Sequence, residues 1–381
     1  MQTQVRAGSP EAGWEASPPV CSSRPGGEEG ERPFWRDALE PYTHPRLSRS
    51  ALDLATSVVP YLGLFGLMYL SLSVSYLLTL ALAIPAAGFL VRTYIVFHDC
   101  THGSFLPTKR ANTWLGTSLG LFVFANYLGW RHNHAVHHAT AGDLDRRGVG
   151  DVPTKTVAEY RALAWRGRLA YRAFRHPLVM FGLGPIFALV VQPRVVPRSA
   201  RPRIKHSVLA TNLALVVLVG ALVWLLGWRS YLLVELPTIM LAGAAGIWLF
   251  YVQHQFEDVY WESRERWSYA DAALRGSSYL KLPKVLQFFS GNIGLHHVHH
   301  LSARIPNYNL QRAHDRNPVF HTVPTLSLAD GIRAVRLKLY DEDQGRMVSF
   351  AQATADVEQA APSVRPRRRR RRVGGSGALS G

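Results

Sequence analysis

The chain has 381 residues, 48% of them hydrophobic, and a formal net charge of +17. It contains only two cysteines, Cys21 and Cys100, so a disulfide framework is not expected and an iron–sulfur site with four cysteine ligands cannot form within one chain. No G-x-G-x-x-G motif follows a predicted strand, which argues against a built-in nicotinamide or flavin domain.

The N-terminal segment, residues 1–50, is polar. Up to about residue 32 it is rich in Gly, Pro, Ser and Glu, a composition typical of disorder. It contains no apolar stretch of the kind found in a cleavable signal peptide. We therefore expect a membrane domain over residues 51–345, followed by a polar, arginine-rich tail over residues 346–381.

Two long apolar runs dominate the membrane domain. The first, residues 51–97, has Asp53 and Arg92 as its only charged residues, and the second, residues 207–253, also has two. A membrane-spanning helix needs roughly 20 apolar residues, so each run predicts a helical hairpin. Arg92 lies near the end of its span and is expected to reach the interface. The predicted spans cover about 52–72, 76–97, 207–227 and 231–252.

Two shorter uncharged stretches, 113–130 and 177–191, are expected to lie in the interface or to dip partway into the membrane. Lysine and arginine are abundant in the N-terminal segment, in residues 92–205 and in the C-terminal third, whereas the hairpin turns carry only Arg229. The positive-inside rule places those three regions and both termini in the cytoplasm. The predicted fold is an all-α, multi-pass integral membrane protein with four transmembrane helices in two hairpins and a cytoplasmic helical cap.

The C-terminal tail contains six consecutive arginines, residues 367–372. Such a run is often interpreted as a nucleic-acid-binding segment. Next to a membrane domain, attraction to anionic lipid head groups at about 1 kcal/mol per residue is the favoured interpretation. We therefore expect membrane lipids, and no nucleic acid, as partners of the tail.

Histidine is concentrated in three short motifs near the ends of the hairpins. HDCTH follows the first hairpin, HAVHH lies in the middle of the chain, and HHVHH follows the second hairpin. On a helix, residues i, i+3 and i+4 share a face, so each motif can direct its imidazoles to one side. With a histidine at the end of the last span, the candidate metal ligands are His98, His102, His134, His137, His138, His254, His296, His299 and His300.

Nine imidazoles exceed what one zinc ion requires. A structural zinc takes four protein ligands and a catalytic zinc three. Two iron ions, each held by four or five imidazoles with a position open for oxygen, would use all of them. The first motif is not a zinc-protease motif, because Asp99 and Cys100 stand where H-E-x-x-H requires glutamate.

Six polar residues near these motifs have more than one possible role: Asp99, Asp143, Asp145, Asn292, His132 and His297. The aspartates can accept the free N–H of a ligand imidazole, and Asp143 and Asp145 can equally cap the next helix. Asn292 can hold a metal-bound water or cap a helix. His132 and His297 are expected to be network or surface residues instead of ligands.

The three motifs together resemble those of the integral-membrane fatty acid desaturase family. The surrounding segments HATAGDLDRRGVGDV, WLFYVQHQFEDVYWE and NIGLHHVHHLSARIPNYNL are similar to those of bacterial acyl-lipid desaturases of the Δ12 type, over roughly residues 94–312. The resemblance implies a non-haem di-iron centre held by the candidate ligands, with His254 as the ninth. It also implies dioxygen as co-substrate, a fatty acyl lipid as substrate and an external electron donor, either a ferredoxin or, in a eukaryote, cytochrome b5.

Two alternative functions remain at this point. Acyl or alkyl hydroxylation occurs in the same di-iron superfamily, and sequence separates it poorly from desaturation. A histidine-rich metal transporter would carry histidines and carboxylates inside its spans. Here the histidine motifs stand at the ends of the spans, which favours an enzyme.

Overall fold

The computed structural model describes residues 33–196 and 200–354. The segment up to residue 32 with its predicted disorder, and the arginine run of the tail, lie outside these residues. The α-helices are α1 (Phe34–Leu39), α2 (Leu47–Ser71), α3 (Tyr76–His102), α4 (Lys109–Phe122), α5 (Tyr127–Thr140), α6 (Val157–Ala162), α7 (Trp165–Phe174), α8 (Pro202–Leu226), α9 (Trp228–His254), α10 (Tyr269–Leu274), α11 (Lys284–Phe289), α12 (His296–Leu301), α13 (Asn307–Arg316) and α14 (Leu328–Ala334).

Five short strands form two small sheets, one of which joins the middle of the chain to its C-terminal third. The strands are β1 (Lys155–Thr156), β2 (Tyr279–Lys281), β3 (Thr325–Ser327), β4 (Leu339–Asp341) and β5 (Arg346–Val348). β4 pairs in parallel with β1 and antiparallel with β5, so that Tyr340 faces Thr156 on one side and Met347 on the other. β2 and β3 form a separate parallel pair. Short 3₁₀ turns cover Glu40–Tyr42, Gln192–Arg194 and Pro318–Phe320.

Four of the described helices, α2, α3, α8 and α9, are long and apolar enough to cross a membrane. α2 and α3 form one hairpin, and α8 and α9 form a second that turns at Gly227, whose φ of 81° favours glycine. The predicted all-α fold with four spanning helices in two hairpins is confirmed. α3 continues to His102, beyond the predicted end of its span, and therefore carries the first histidine motif on its last turns.

α3 occupies the centre of the helical assembly. It packs against α2, α4 and α9, and 44% of its most apolar segment is buried, compared with 17% for α8. α8 directs large apolar side chains outward, including Leu213, Val217 and Trp224. In a bilayer these side chains meet lipid, which is why a poorly buried helix can still be almost wholly apolar.

The two shorter apolar stretches form broken helices. Residues 113–130 are divided between α4 and α5, with Phe124 at φ 55° in the break. Residues 177–191 form two π-helical segments, Val179–Leu183 and Ile186–Val191. Together with α7 they make a pair bent by 56°, which is either a broken fifth span or a re-entrant segment. The sequence predicts a helix in the interface or one that dips partway into the membrane, and the re-entrant form is the second of these.

Arg92 does not reach the interface, so that expectation was wrong. Its side chain is buried and donates hydrogen bonds to the Asp53 carboxylate of α2 and to the backbone carbonyl of Phe288. The other oxygen of Asp53 accepts a hydrogen bond of 2.8 Å from Asn307 Nδ2. Because a buried carboxylate faces Arg92 across the hairpin, the arginine forms an internal ion pair instead of extending to the membrane surface.

Candidate metal centre

Four helices bring their ends together where the spans meet the cap. α3 contributes its last turns before it ends at Gly103, whose φ is 71°. α5 begins at Asn126, whose side chain accepts a hydrogen bond from the N–H of Gly129, and carries the second motif. α9 ends at His254, and the short helix α12 consists largely of the third motif. Each histidine motif is thus held on regular backbone, which fixes the direction of its side chains.

The nine candidate ligands form two groups. Within each group the ligand nitrogens lie within 4.8 Å of one another. Cluster A contains His98, His102, His134, His138 and His299; cluster B contains His137, His254, His296 and His300.

The HxxHH spacing explains why there are two groups. On α5, residues 134 and 138 are one turn apart and belong to cluster A, whereas residue 137 belongs to cluster B. On α12, residues 296 and 300 belong to cluster B and residue 299 to cluster A. On a helix, the side chains of residues i+3 and i+4 point to opposite sides of the direction of residue i. An HxxHH helix that lies between two sites can therefore direct histidines into both.

Several imidazole nitrogens of each cluster lie at hydrogen-bond distance from one another. His134 Nε2 lies 3.0 Å from His98 Nε2 and 3.1 Å from His138 Nε2, and His138 Nε2 lies 3.0 Å from His299 Nε2. In cluster B, His254 Nε2 lies 3.1 Å from His137 Nε2 and 2.9 Å from His296 Nε2.

A neutral imidazole has one donor and one acceptor nitrogen, so hydrogen bonds cannot satisfy every member of such a group. A metal ion among the rings would bind the nitrogens that hydrogen bonds leave unsatisfied.

Burial keeps these imidazoles in the form that binds metals. In α12, burial and then the neighbouring histidines lower the pKa of His296, His299 and His300 well below its usual value. A neutral imidazole retains the lone pair that a metal needs. Nε2 of His102 and of His300 is buried without a hydrogen-bond partner, as expected for atoms whose partner is an ion.

Three ligand rings have a hydrogen-bond acceptor behind them. His98 Nδ1 lies 3.2 Å from Asp99 Oδ1, and His254 Nδ1 lies 3.1 Å from the carbonyl oxygen of Gly276. His137 Nδ1 contacts the carboxylate of Asp151. An acceptor at Nδ1 fixes the tautomer and turns Nε2 toward the cluster.

Asp99 is itself held by a residue that the sequence did not single out. Its Oδ2 accepts two hydrogen bonds from Asn307, 2.7 Å from the backbone N–H and 3.0 Å from Nδ2. Since Nδ2 also donates to Asp53, Asn307 joins the Asp53–Arg92 ion pair of the first hairpin to the carboxylate beside His98.

Asp143 and Asp145 lie in the loop after α5. Within the part of the chain that the structure covers, they neither accept an N–H from a ligand imidazole nor cap the next helix. Asp143 binds the side chain of Arg146, and Asp145 accepts a hydrogen bond from the backbone N–H of Arg264. The expectation that they cap the next helix was wrong, because Thr156 caps α6 with its own side chain. The two carboxylates shape this loop.

The remaining polar neighbours lie at the periphery. Asn292 has φ 59° and donates to the carbonyl of Asn307. It does not cap α12, which begins after Leu295 without a side-chain cap. His132 is exposed. His297 is fully buried on the far side of α12, with its Nε2 3.0 Å from Nδ1 of His314.

Sequence reasoning missed Asp151, the carbonyl of Gly276 and Asn307. Asp151 follows His137 by 14 residues, in a loop that contains three glycines with positive φ. A carboxylate soon after a histidine motif was a usable signal, but Asp143 and Asp145 provided the same signal nearer to the motif. For Asn307 no local signal exists, because Asp99 is 208 residues away.

A pocket opens beside cluster B. His137 and His254 form part of its wall together with Asp151 and Gln255. The rest of its wall is largely apolar or aromatic and includes Val152, Phe250, Val259, Tyr260 and Trp261.

Comparisons with known proteins give a consistent result. The family described as "Fatty acid desaturase" matches residues 71–326. A "Fatty acid desaturase" of Bacillus subtilis (strain 168) is 46% identical over 331 residues, covering 87% of this chain and 94% of that protein.

Two proteins of Synechocystis sp. are more distant. An "sn-1 acyl-lipid omega-3 desaturase (ferredoxin)" is 29% identical over 58% of this chain and 62% of its own length. An "sn-1 oleoyl-lipid 12-desaturase" is 26% identical over 69% of this chain and 73% of its own length. The match to the family covers α3, α5, α9 and α12, the four helices that carry the histidine clusters.

Proposed function

The chain belongs to the fatty acid desaturase family, and from this premise we propose that it inserts a cis double bond into the acyl chain of a membrane lipid, with two iron ions held by clusters A and B. Members of this family are oxidoreductases that act on fatty acyl chains. The observation that carries the proposal is the grouping of nine imidazoles into one set of five and one set of four. A single zinc site would leave most of these ligands unused.

Iron fits the ligand sets better than zinc does. Imidazole suits several transition metals, but the five imidazoles of cluster A exceed the four ligands that are usual for zinc. We propose that cluster A holds one ion with five imidazoles and cluster B the other with four. When bound and reduced, iron supplies the activation of dioxygen that removal of hydrogen from an unactivated methylene requires.

The reaction balances when two electrons and two protons come from outside. A –CH₂–CH₂– unit and O₂, with two electrons and two protons, give –CH=CH– and two molecules of water. The protein residues bind, orient and shield the centre: Asp99, Asp151 and the carbonyl of Gly276 fix the ligand rings, and the buried cap excludes bulk water.

An acyl-lipid substrate is supported by the printed names of the two Synechocystis relatives. We retain the Δ12 position from the sequence resemblance, supported by the more distant oleoyl-lipid 12-desaturase.

A separate protein must deliver the electrons. We propose a ferredoxin, because one relative is named as a ferredoxin-dependent acyl-lipid desaturase. The net charge of +17 would attract an acidic carrier by electrostatic steering. We propose that the histidine clusters, both termini and the face to which the carrier docks are cytoplasmic. The distribution of lysine and arginine supports this orientation. Residues 51–345 form the proposed desaturase domain.

Product analysis tests this function. The chain is expressed in a host whose lipids contain only saturated and monounsaturated acyl chains, and the lipids are analysed by gas chromatography–mass spectrometry with localisation of double bonds. We expect diunsaturated chains with the new bond at carbon 12, and none from a His299→Ala variant. A hydroxylated chain instead would establish the hydroxylase alternative. A new double bond elsewhere would refute only the Δ12 position.

A further inference from the structure

Arg175 is the largest of the fully buried side chains in the described part of the chain. It follows α7 and lies between the spans and the cap. Among the described residues no carboxylate pairs with it; its hydrogen bonds go to neutral oxygens. Nη1 donates to the carbonyl of Pro153 at 2.8 Å and to Thr154 Oγ1 at 3.3 Å. Nη2 donates to the hydroxyl of Tyr251 and to Gln255 Oε1, both at 3.0 Å.

Two acceptors of Nη2 stand at the end of α9, and a third, the carbonyl of Leu337, lies 3.4 Å away. Tyr251 lies one turn before His254, and Gln255 follows it directly. Gln255 Nε2 donates to the backbone carbonyl of His254 at 3.1 Å. Arg175 therefore holds the last turn of the helix that carries a cluster B histidine.

Nη1 donates to the hydroxyl of Tyr171 on α7 at 3.3 Å, and its two other acceptors belong to the segment that supports another cluster B histidine. Pro153 and Thr154 follow Asp151, whose carboxylate contacts His137 Nδ1. Thr154 Oγ1 also donates to Gln255 Oε1 at 3.0 Å, so the segment that contains Asp151 is hydrogen-bonded directly to the end of α9. The histidines that these two segments support are close to each other, because Nε2 of His137 and Nε2 of His254 are 3.1 Å apart.

We propose that Arg175 is a positioning residue for cluster B: its two Nη groups fix the Asp151–Thr154 segment against the end of α9 and so set the distance between His137 and His254. This inference rests on the proposed function, because it assumes that cluster B binds iron. The acceptors of Arg175 do not lie on α3, which carries His98 and His102 of cluster A. Its effect is therefore specific to one of the two ions.

Lysine cannot replace arginine in this role. The guanidinium is planar and directs separate N–H groups to the two segments in a fixed geometry, whereas an ammonium is a single point charge on a flexible stem. Arg175→Lys keeps the charge and most of the apolar stem while it removes the two-sided bridge. Loss of a hydrogen-bonded support behind metal ligands typically weakens binding by about 10–100-fold.

The test measures iron per chain and resistance to a chelator in purified full-length protein. Arg175→Lys is made alone and in two backgrounds, His98→Ala, which impairs cluster A, and His254→Ala, which impairs cluster B. Arg166→Lys, at an exposed arginine on the same helical segment, is the matched control. Size-exclusion chromatography and helical circular dichroism verify that each variant is folded.

We expect Arg175→Lys to lower the iron content from two toward one per chain and to weaken retention of the lost ion by about 10–100-fold against the chelator. In the His98→Ala background the remaining iron should be lost. In the His254→Ala background the iron content should not change. The control should behave as wild type.

Equal iron loss in both backgrounds, or loss in neither, would overturn the assignment of Arg175 to cluster B. If Arg175→Lys does not fold, Gln255→Ala removes one of the two acceptors at the end of α9 while Arg175 stays in place, and the same selective loss is expected. Folded wild-type protein without iron would refute the di-iron proposal and this inference with it. If wild-type protein contains two irons but Arg175→Lys causes the same loss in both backgrounds, only the inference about Arg175 is refuted.

Discussion

The buried ion pair between Arg92 and Asp53 gives the sharpest stability prediction. Arg92 is 8% exposed and Asp53 5% exposed, and the pair joins the two helices of the first hairpin. Removing one partner of a buried pair leaves an uncompensated charge and costs about 3–5 kcal/mol. Arg92→Met and Asp53→Asn should therefore each lower the free energy of unfolding by about 3–5 kcal/mol.

The double variant distinguishes a paired charge from two independent contacts. With both charges removed, the cost should be smaller than that of either single variant, since no isolated charge remains. The assay is detergent-induced unfolding followed by circular dichroism, with Arg304→Met at an exposed position as the control for loss of an arginine. Single-variant costs that add within about 0.5 kcal/mol would show that the two residues do not interact.

Three further predictions concern the site and the topology. His299→Ala should abolish product formation while the protein still inserts into membranes, because α12 lies outside the spans; turnover at the wild-type rate would remove this residue from the ligand set. Asp151→Asn should weaken iron retention by about 10–100-fold in a chelator titration, because it alters the contact with His137. The control Asp145→Asn should retain iron as wild type does, and equal effects of the two variants would refute the role of the His137 contact. In a Cys21→Ser background, a cysteine at Ser73 should be labelled from the non-cytoplasmic side and one at Thr322 from the cytoplasm; labelling from the same side would contradict the hairpin topology.

The architecture could be predicted because it depends on local properties of the chain. The length of each apolar run determines how many spans it can form, and the predicted hairpins are present as α2 with α3 and α8 with α9. The same reasoning failed for Arg92. Whether an arginine reaches the interface or pairs internally depends on the residue it faces, and Asp53 is 39 positions away in the sequence.

The histidine motifs showed in advance which imidazoles share a helix face, but not which of them share a cluster. That division depends on how α5 and α12 are rotated against each other, and a single helix pattern does not contain this information. The supporting residues are still less accessible. Arg175 is 80 positions from Gln255, and Asn307 is 208 positions from Asp99, so only the folded chain brings them together.

The central claim, that clusters A and B form a di-iron centre, is tested most directly by counting metals in purified full-length protein. Elemental analysis and Mössbauer spectroscopy of protein produced with ⁵⁷Fe give the metal identity and the number of ions per chain. The account predicts two irons per chain, reduced to about one by His254→Ala, which removes a cluster B ligand, because cluster A retains its five imidazoles. A single zinc and no iron in folded, active protein would contradict it.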